Sequence, residues 1–145
     1  MVTSEPDVKK FVTRGRPKKR VVVVQGGVDM DEAKQYLEKK RIIPVEKRRY
    51  DACFVGRFHY QKGVLEMVDI WREVCRLRPK AKLAMIGNGP LEEEVNKKIK
   101  KYCLGENIDL LGFQTGKPKY EIFKQSKIMV HPATYDSGGM AAAEG

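Results

Sequence analysis

From Tyr50 onward, short apolar runs alternate with longer stretches in which apolar residues recur every three or four positions. The short runs read as strands and the longer stretches as helices, and their regular alternation is the pattern of parallel βαβ units. DACFVGRF (51–58) is a strand that runs into a glycine turn. VLEMVDIWREVCRLRP follows, with Val64, Leu65, Val68, Trp71 and Cys75 on one helical stripe and a stop at Pro79. AKLAMIG (81–87) is the next strand, and NGP is a turn that sets Pro90 as the first residue of a helix. In that helix, LEEEVNKKIKKYC, the acids Glu92 to Glu94 precede the lysines Lys97 to Lys101. Glu93 then pairs with Lys97 and Glu94 with Lys98, in the order the helix dipole favours. Gly105 is expected to supply a left-handed cap. NIDLLGF (107–113) is a third strand, KPKYEIFKQS a short helix and KIMVHPA (127–133) a fourth strand.

Upstream, VVVVQGGVD (21–29) reads as a buried strand entering a glycine turn, and DEAKQYLEKK (31–40) as a polar helix or helical loop. The fold class is therefore α/β, a parallel sheet flanked by helices. Doubly wound nucleotide domains have about six strands. Four strands after Tyr50 plus the valine strand fall short, so an incomplete domain is expected.

Composition narrows this picture. The chain has 145 residues, 41% of them hydrophobic, enough for one domain with one core and too few for two complete domains. No purely apolar run exceeds four residues, so neither a secretory pattern nor a membrane span of roughly 20 apolar residues is visible. Cys53, Cys75 and Cys103 are odd in number and widely spaced, which fits neither a disulfide framework nor a metal site. They read as buried, reduced thiols of a soluble cytoplasmic protein. The formal net charge of +10 divides unevenly: residues 1–50 carry 14 Lys and Arg against 7 acids, residues 51–145 carry 15 against 12. The excess lies in runs such as RGRPKKR (14–20), a pattern of solvated surface or linker, with nucleic acid or an anionic surface as the alternative partner. No helix-turn-helix pattern, zinc spacing or aromatic-rich sheet motif supports nucleic acid.

Three stretches can carry chemistry. GRFHYQKG (56–63) leaves the carboxyl end of a strand, the edge where open α/β sheets bind ligands. Gly56 lets backbone approach a phosphate, and Arg57 and Lys62 offer two cations to a diphosphate; a solvated basic turn is the plainer reading. IGNGP, with Gly87 and Asn88, repeats strand, turn and helix start without the three-glycine dinucleotide fingerprint. A tight turn capping the helix is its expected role. YDSGGMAAAEG closes the chain. A helix starting near Gly138 would aim free N–H groups at an anion, with Asp136 before it and Glu144 inside it. Such acids suit sugar and ribose hydroxyls, and can equally be an N-cap and a solvated helix residue. His131, at a strand end facing the same edge, reads as a wall residue of the site, and neither it nor His59 has metal-ligand spacing.

In order and spacing, VVVVQGGVD, FVGRFHYQKG, AKLAMIGNGP, IDLLGF, MVHPATYDSGG and AAAEG resemble the carboxyl-terminal half of family 4 glycosyltransferases. These are retaining GT-B enzymes of two facing Rossmann-like domains. The resemblance implies a truncated carboxyl-terminal half, with residues 1–49 as interdomain linker, entry strand and helix, and 50–145 as the donor-binding domain. It matches Arg57 and Lys62 to the pair that holds the diphosphate, and Asp136 to the first acid, which faces the transferred sugar. Glu144 matches the acid that holds the ribose, and Ser137, Gly138, Gly139 and Met140 match the helix start that presents backbone donors. The family's first acid is usually Glu, so Asp136 is a departure.

The implied reaction transfers a hexose such as mannose or glucose from a GDP-, UDP- or ADP-sugar to a hydroxyl with retention of configuration. Asp136, Arg57 and Lys62 are the catalytic candidates, and no metal or other cofactor is expected. The acceptor, a sugar or a lipid-linked or other hydroxyl, would sit on the amino-terminal domain, so the 145 residues alone are expected to bind weakly or not at all and not to turn over. Further expectations are peripheral contact with the inner membrane face, self-association through an exposed sheet edge, and no nucleic-acid partner. A noncatalytic domain of the same fold is the other alternative.

Overall fold

The structure, a computed structural model, describes residues 8–10, 12–13, 17–22, 31–38 and 42–133. Four parallel strands, β1 (Tyr50–Val55), β2 (Leu83–Ile86), β3 (Ile108–Leu110) and β4 (Ser126–Met129), form one sheet in the order β3-β2-β1-β4. The helices are α1 (Asp31–Glu38), α2 (Val64–Leu77), α3 (Glu92–Lys101) and α4 (Gly116–Lys124). The chain enters at a central strand, moves outward through β2 and β3, and returns to the other side of β1 to lay down β4. Ala52 pairs with Leu83 on one side and Ile128 on the other, while Met85 pairs with Leu110.

Right-handed crossovers place α2 and α3 on one face and α4 on the other, because the chain reverses direction across the sheet. On the first face Ala52, Phe54, Leu83 and Met85 meet Val64, Met67, Val68 and Trp71 of α2 and Val95 and Ile99 of α3. On the second, Cys53 and Ala84 meet Ile122 and Phe123 of α4. Both central strands are buried from either side, which is why YDACFV and LAMI carry no regular apolar–polar alternation. Each fully buried Phe, Leu or Met contributes roughly 1.5–3 kcal/mol relative to an exposed position. α1 packs on α4, where the Tyr36 hydroxyl donates to Glu121 and its ring lies 6.0 Å from that of Tyr120.

The α/β class and the four strands after Tyr50 are as the pattern predicts; local differences have physical reasons. The helix expected from Pro90 begins at Glu92, because Leu91 is its N-cap: the Leu91 carbonyl accepts from the Val95 N–H at 2.9 Å, and the Leu91 N–H bonds the Phe58 carbonyl at 3.1 Å. Glu93 and Lys97 pair at 2.6 Å, but Lys98 turns from Glu94 to Asp69 of α2 at 2.5 Å. There the Tyr102 hydroxyl donates to the same carboxylate at 3.0 Å. Partial burial pushes the Asp69 carboxyl up, and the hydrogen bonds from Lys98 and Tyr102 outweigh it and hold it below its usual range. This clamp ties α2 to α3.

The left-handed cap expected at Gly105 falls on Cys103, with φ 56. The Leu104 N–H reaches Ile99 O at 3.0 Å and the Cys103 N–H reaches Lys100 O at 3.1 Å, the two bonds of a Schellman motif. Burial of Leu104 and Ile99 fixes that ending two residues before the glycine. Cys103 is consequently exposed rather than buried, Cys75 is half-buried and Cys53 is buried, all three as free thiols. Val21 and Val22 lie outside any strand, since a 3-10 turn at Lys18–Arg20 closes onto Val21, and Val22 is 58% exposed. The rest of the valine stretch lies outside the described residues. No described helix is long and apolar enough to cross a membrane.

A left-handed residue with a Cβ costs roughly 1–2 kcal/mol. Cys103→Gly is therefore expected to raise the unfolding free energy by about 1 kcal/mol in urea titrations. An unchanged or lower midpoint would contradict this cap assignment.

Candidate functional site

Three connections meet at the carboxyl ends of β1, β2 and β3, and backbone hydrogen bonds join them. The Gly56 N–H reaches Ile86 O at 3.0 Å, the Phe58 N–H reaches Asn88 O at 2.8 Å, and the Gly87 N–H reaches Gly112 O at 2.8 Å. At Gly87 this approach admits no side chain: φ is 141° and a Cβ would stand 1.9 Å from the Gly56 carbonyl oxygen. The connection after β1 continues through a 3-10 turn at Tyr60–Lys62 into Gly63, at φ 66. A Cβ on Gly63 would lie 2.4 Å from Pro132 O, so the turn is seated against the segment that follows β4.

Between these connections opens a cleft of about 400 Å³. Gly56 and Arg57 line it after β1, Gly87 and Asn88 after β2, and Phe113, Gln114, Thr115 and Lys119 from the loop and helix after β3. The Gln114 amide donates to Leu111 O at 2.7 Å, which holds its side chain against the sheet. Phe113 stands 68% exposed at the mouth. The cleft thus joins two cations, Arg57 and Lys119, to an apolar wall, glycine backbone and one exposed ring. That composition suits a flat polar ring system attached to an anion. Among the described residues no group of three His, Cys, Asp or Glu could hold a metal ion.

A model of the glycosyl transferases group 1 family matches residues 35–145. The chain belongs to that family. An uncharacterised glycosyltransferase of Methanocaldococcus jannaschii is 26% identical over 134 residues, 88% of this chain and 34% of that protein. The phosphatidylinositol N-acetylglucosaminyltransferase gpi3 subunit of Schizosaccharomyces pombe is 22% identical over 90 residues, 62% of this chain and 20% of that protein. This glycosyltransferase chain therefore spans a fifth to a third of the length of such relatives.

Among solved structures, a variant of Staphylococcus aureus TarM crystallised with fondaparinux, alpha-GlcNAc-glycerol and UDP superposes with a TM-score of 0.73. The match is at 16% identity and covers 99% of this chain and 27% of that one. Anabaena HepE in complex with UDP and glucose gives a TM-score of 0.65 at 16% identity, covering 94% of this chain and 38% of that one. At such identities the likeness establishes the fold, that of the Rossmann-like domain of GT-B glycosyltransferases.

Of the site residues expected from sequence, Gly56, Arg57, Gly87 and Asn88 come together in the cleft. Gly87 does more than cap a helix, since it is the point of backbone contact with Gly56. Lys62 does not line the cleft, but its Cβ lies 3.8 Å from where a Cβ on Gly56 would be. His131 is half-buried just beyond β4, next to the Pro132 carbonyl that meets Gly63. Asp136, Ser137, Gly138, Gly139, Met140 and Glu144 lie outside the described residues. The wall formed by Phe113, Gln114, Thr115 and Lys119 was not anticipated from sequence. Its one signal was position, directly after the third strand on the ligand-binding edge.

Gly87→Ala is expected to destabilise the fold by at least about 3 kcal/mol, since both backbone conformation and space exclude a Cβ. Gly105→Ala, where a Cβ would meet nothing within 4 Å, is the matched control and should stay within about 0.5 kcal/mol of wild type. Equal denaturation midpoints for the two variants would refute the interlock.

Proposed function

We propose that the cleft binds the nucleoside diphosphate of a sugar donor, and that the chain is the donor-binding part of a retaining, family 4-type glycosyltransferase. The observation that carries this reading is the position and lining of the cleft, on the carboxyl edge of a parallel sheet with Arg57 at its rim. Membership of the glycosyl transferases group 1 family supports it, as does the UDP in the TarM and HepE structures.

In this reading the base lies against Phe113 and the Gln114 loop, and the diphosphate passes the Gly56 turn. Departure of a nucleoside diphosphate builds negative charge on the leaving oxygens. Arg57 and Lys62 are proposed to meet that charge, so that fixed side-chain cations do the work a metal does elsewhere. Asp136 and Glu144 are assigned to the transferred sugar and the ribose, and Ser137 to Met140 to backbone donors at the diphosphate. The acceptor hydroxyl attacks from the face the diphosphate leaves, which retains configuration. A hexose is the proposed sugar, and UDP, ahead of GDP and ADP, the proposed nucleotide. The acceptor site belongs to a facing amino-terminal domain, with the full protein cytoplasmic and peripheral at the inner membrane face.

Thermal-shift and calorimetric titrations with UDP, GDP and ADP test the reading. At a hundredfold excess over the dissociation constant a ligand adds about 2.7 kcal/mol to stability, so even weak binding is measurable. UDP is expected to stabilise the chain, and Arg57→Ala to weaken binding about tenfold, the effect of losing one charge-assisted contact to phosphate. Absence of stabilisation by all three nucleotides, or an unchanged affinity in Arg57→Ala, would overturn it.

A further inference from the structure

The wall of the cleft that follows β3 carries a polar pattern of its own. Gln114 and Lys119 both line the cleft, and both are half-buried. The Gln114 amide nitrogen donates to Leu111 O at 2.7 Å. A backbone carbonyl can only accept, so this bond settles which way the amide is turned and leaves the side-chain carbonyl oxygen to accept from a ligand. Lys119 is the complement, an ammonium group with three N–H donors and no acceptor. It also stands 5.6 Å from the centre of the Tyr120 ring, and three donors can serve more than one partner. One wall thus offers an acceptor and a donor.

This end of the cleft is poorly suited to phosphate. β2 separates β1 from β3, so Arg57 and the wall after β3 belong to connections two strand spacings apart, roughly 10 Å. That is the reach from the phosphates of a nucleotide to the outer edge of its base. An acid also stands at the start of α4: a carboxylate oxygen of Glu32 lies 3.1 Å from where a Cβ on Gly116 would be. Pro118, in the first turn of that helix, has no N–H to give. A phosphate placed here would face the Glu32 carboxylate, whereas a neutral base meets no such repulsion.

We propose that Lys119 and Gln114 select the base of the donor nucleotide, accepting a ring with a carbonyl beside a ring N–H. The Lys119 ammonium donates to the base carbonyl, and the Gln114 side-chain oxygen accepts from the ring N–H. Uracil and guanine carry that edge. Adenine and cytosine carry its reverse, an amino group beside a bare ring nitrogen, which sets donor against donor and leaves both wall groups unsatisfied. The rule rests on the nucleotide reading of the cleft and adds to it the chemistry of the base.

Nucleotides that differ only at this edge test the rule, UDP against CDP for the smaller ring and inosine diphosphate against ADP for the larger. GDP, with the same edge as inosine diphosphate, is titrated beside them. Dissociation constants are read from amide shifts of the isotopically labelled chain, which report weak binding as well as tight. For the ring size that binds, the carbonyl member is expected to bind about tenfold or more tightly. Lys119→Met keeps the side chain's length without its donor and should bring the pair within about twofold, while Lys119→Glu should favour the amino member. Both replacements are good helix formers, so melting should match wild type. Arg57→Ala should weaken both members and leave their ratio unchanged. Equal affinities within the pairs, or a preference that survives both Lys119 substitutions, would overturn the selection rule and leave the nucleotide reading standing. Binding by none of the nucleotides, or affinities indifferent to Arg57→Ala, would overturn that reading and the rule with it.

Discussion

The contact on which the ligand edge depends is the approach of Gly87 to the carbonyl of Gly56. Parallel strands fix the spacing of their own backbones, but nothing in the ladder fixes the connections that leave them. Here the connections bond to one another, Gly56 to Ile86, Phe58 to Asn88 and Gly87 to Gly112. The turns after β1, β2 and β3 therefore form one surface, and the position of Arg57 is set by the same bonds that close the β1 turn. A side chain at Gly87 would push that surface apart, because a Cβ there overlaps a carbonyl oxygen rather than a flexible side chain.

Much of the fold was legible because local and global signals agree. The alternation of short apolar runs with amphipathic helices specified a parallel α/β sheet, and the runs at 51–58 and 81–87 contain the two central strands. Element ends were less legible, since they are decided by partners distant in sequence. Gly105 carries the residue type for a helix cap, yet burial of Leu104 and Ile99 ends the helix earlier, on Cys103. Lys98 has a good partner four residues back, yet the carboxylate of Asp69 and the carbonyl of Leu65 across the helix interface claim its ammonium group.

The candidate site divides the same way. Gly56, Arg57, Gly87 and Asn88 announced themselves by type and by their place after strands. Phe113, Gln114, Thr115 and Lys119 form a wall only because β3 lies beside β2 and α4 returns across the other face. No short motif in GFQTGKPK carries that information. Membership of the glycosyl transferases group 1 family and the shared GT-B fold agree with the sheet, while the chemistry assigned to the cleft rests on its own geometry.

The most direct measurement is a map of backbone amide shifts in isotopically labelled protein during titration with UDP. Binding in the cleft predicts perturbations concentrated at Gly56, Arg57, Gly87, Asn88 and the segment 113–119, with residues at the opposite end, such as Arg78 and Lys127, unmoved. Perturbations confined to that opposite end, or none at saturating nucleotide, would contradict the assignment of this edge as the donor site.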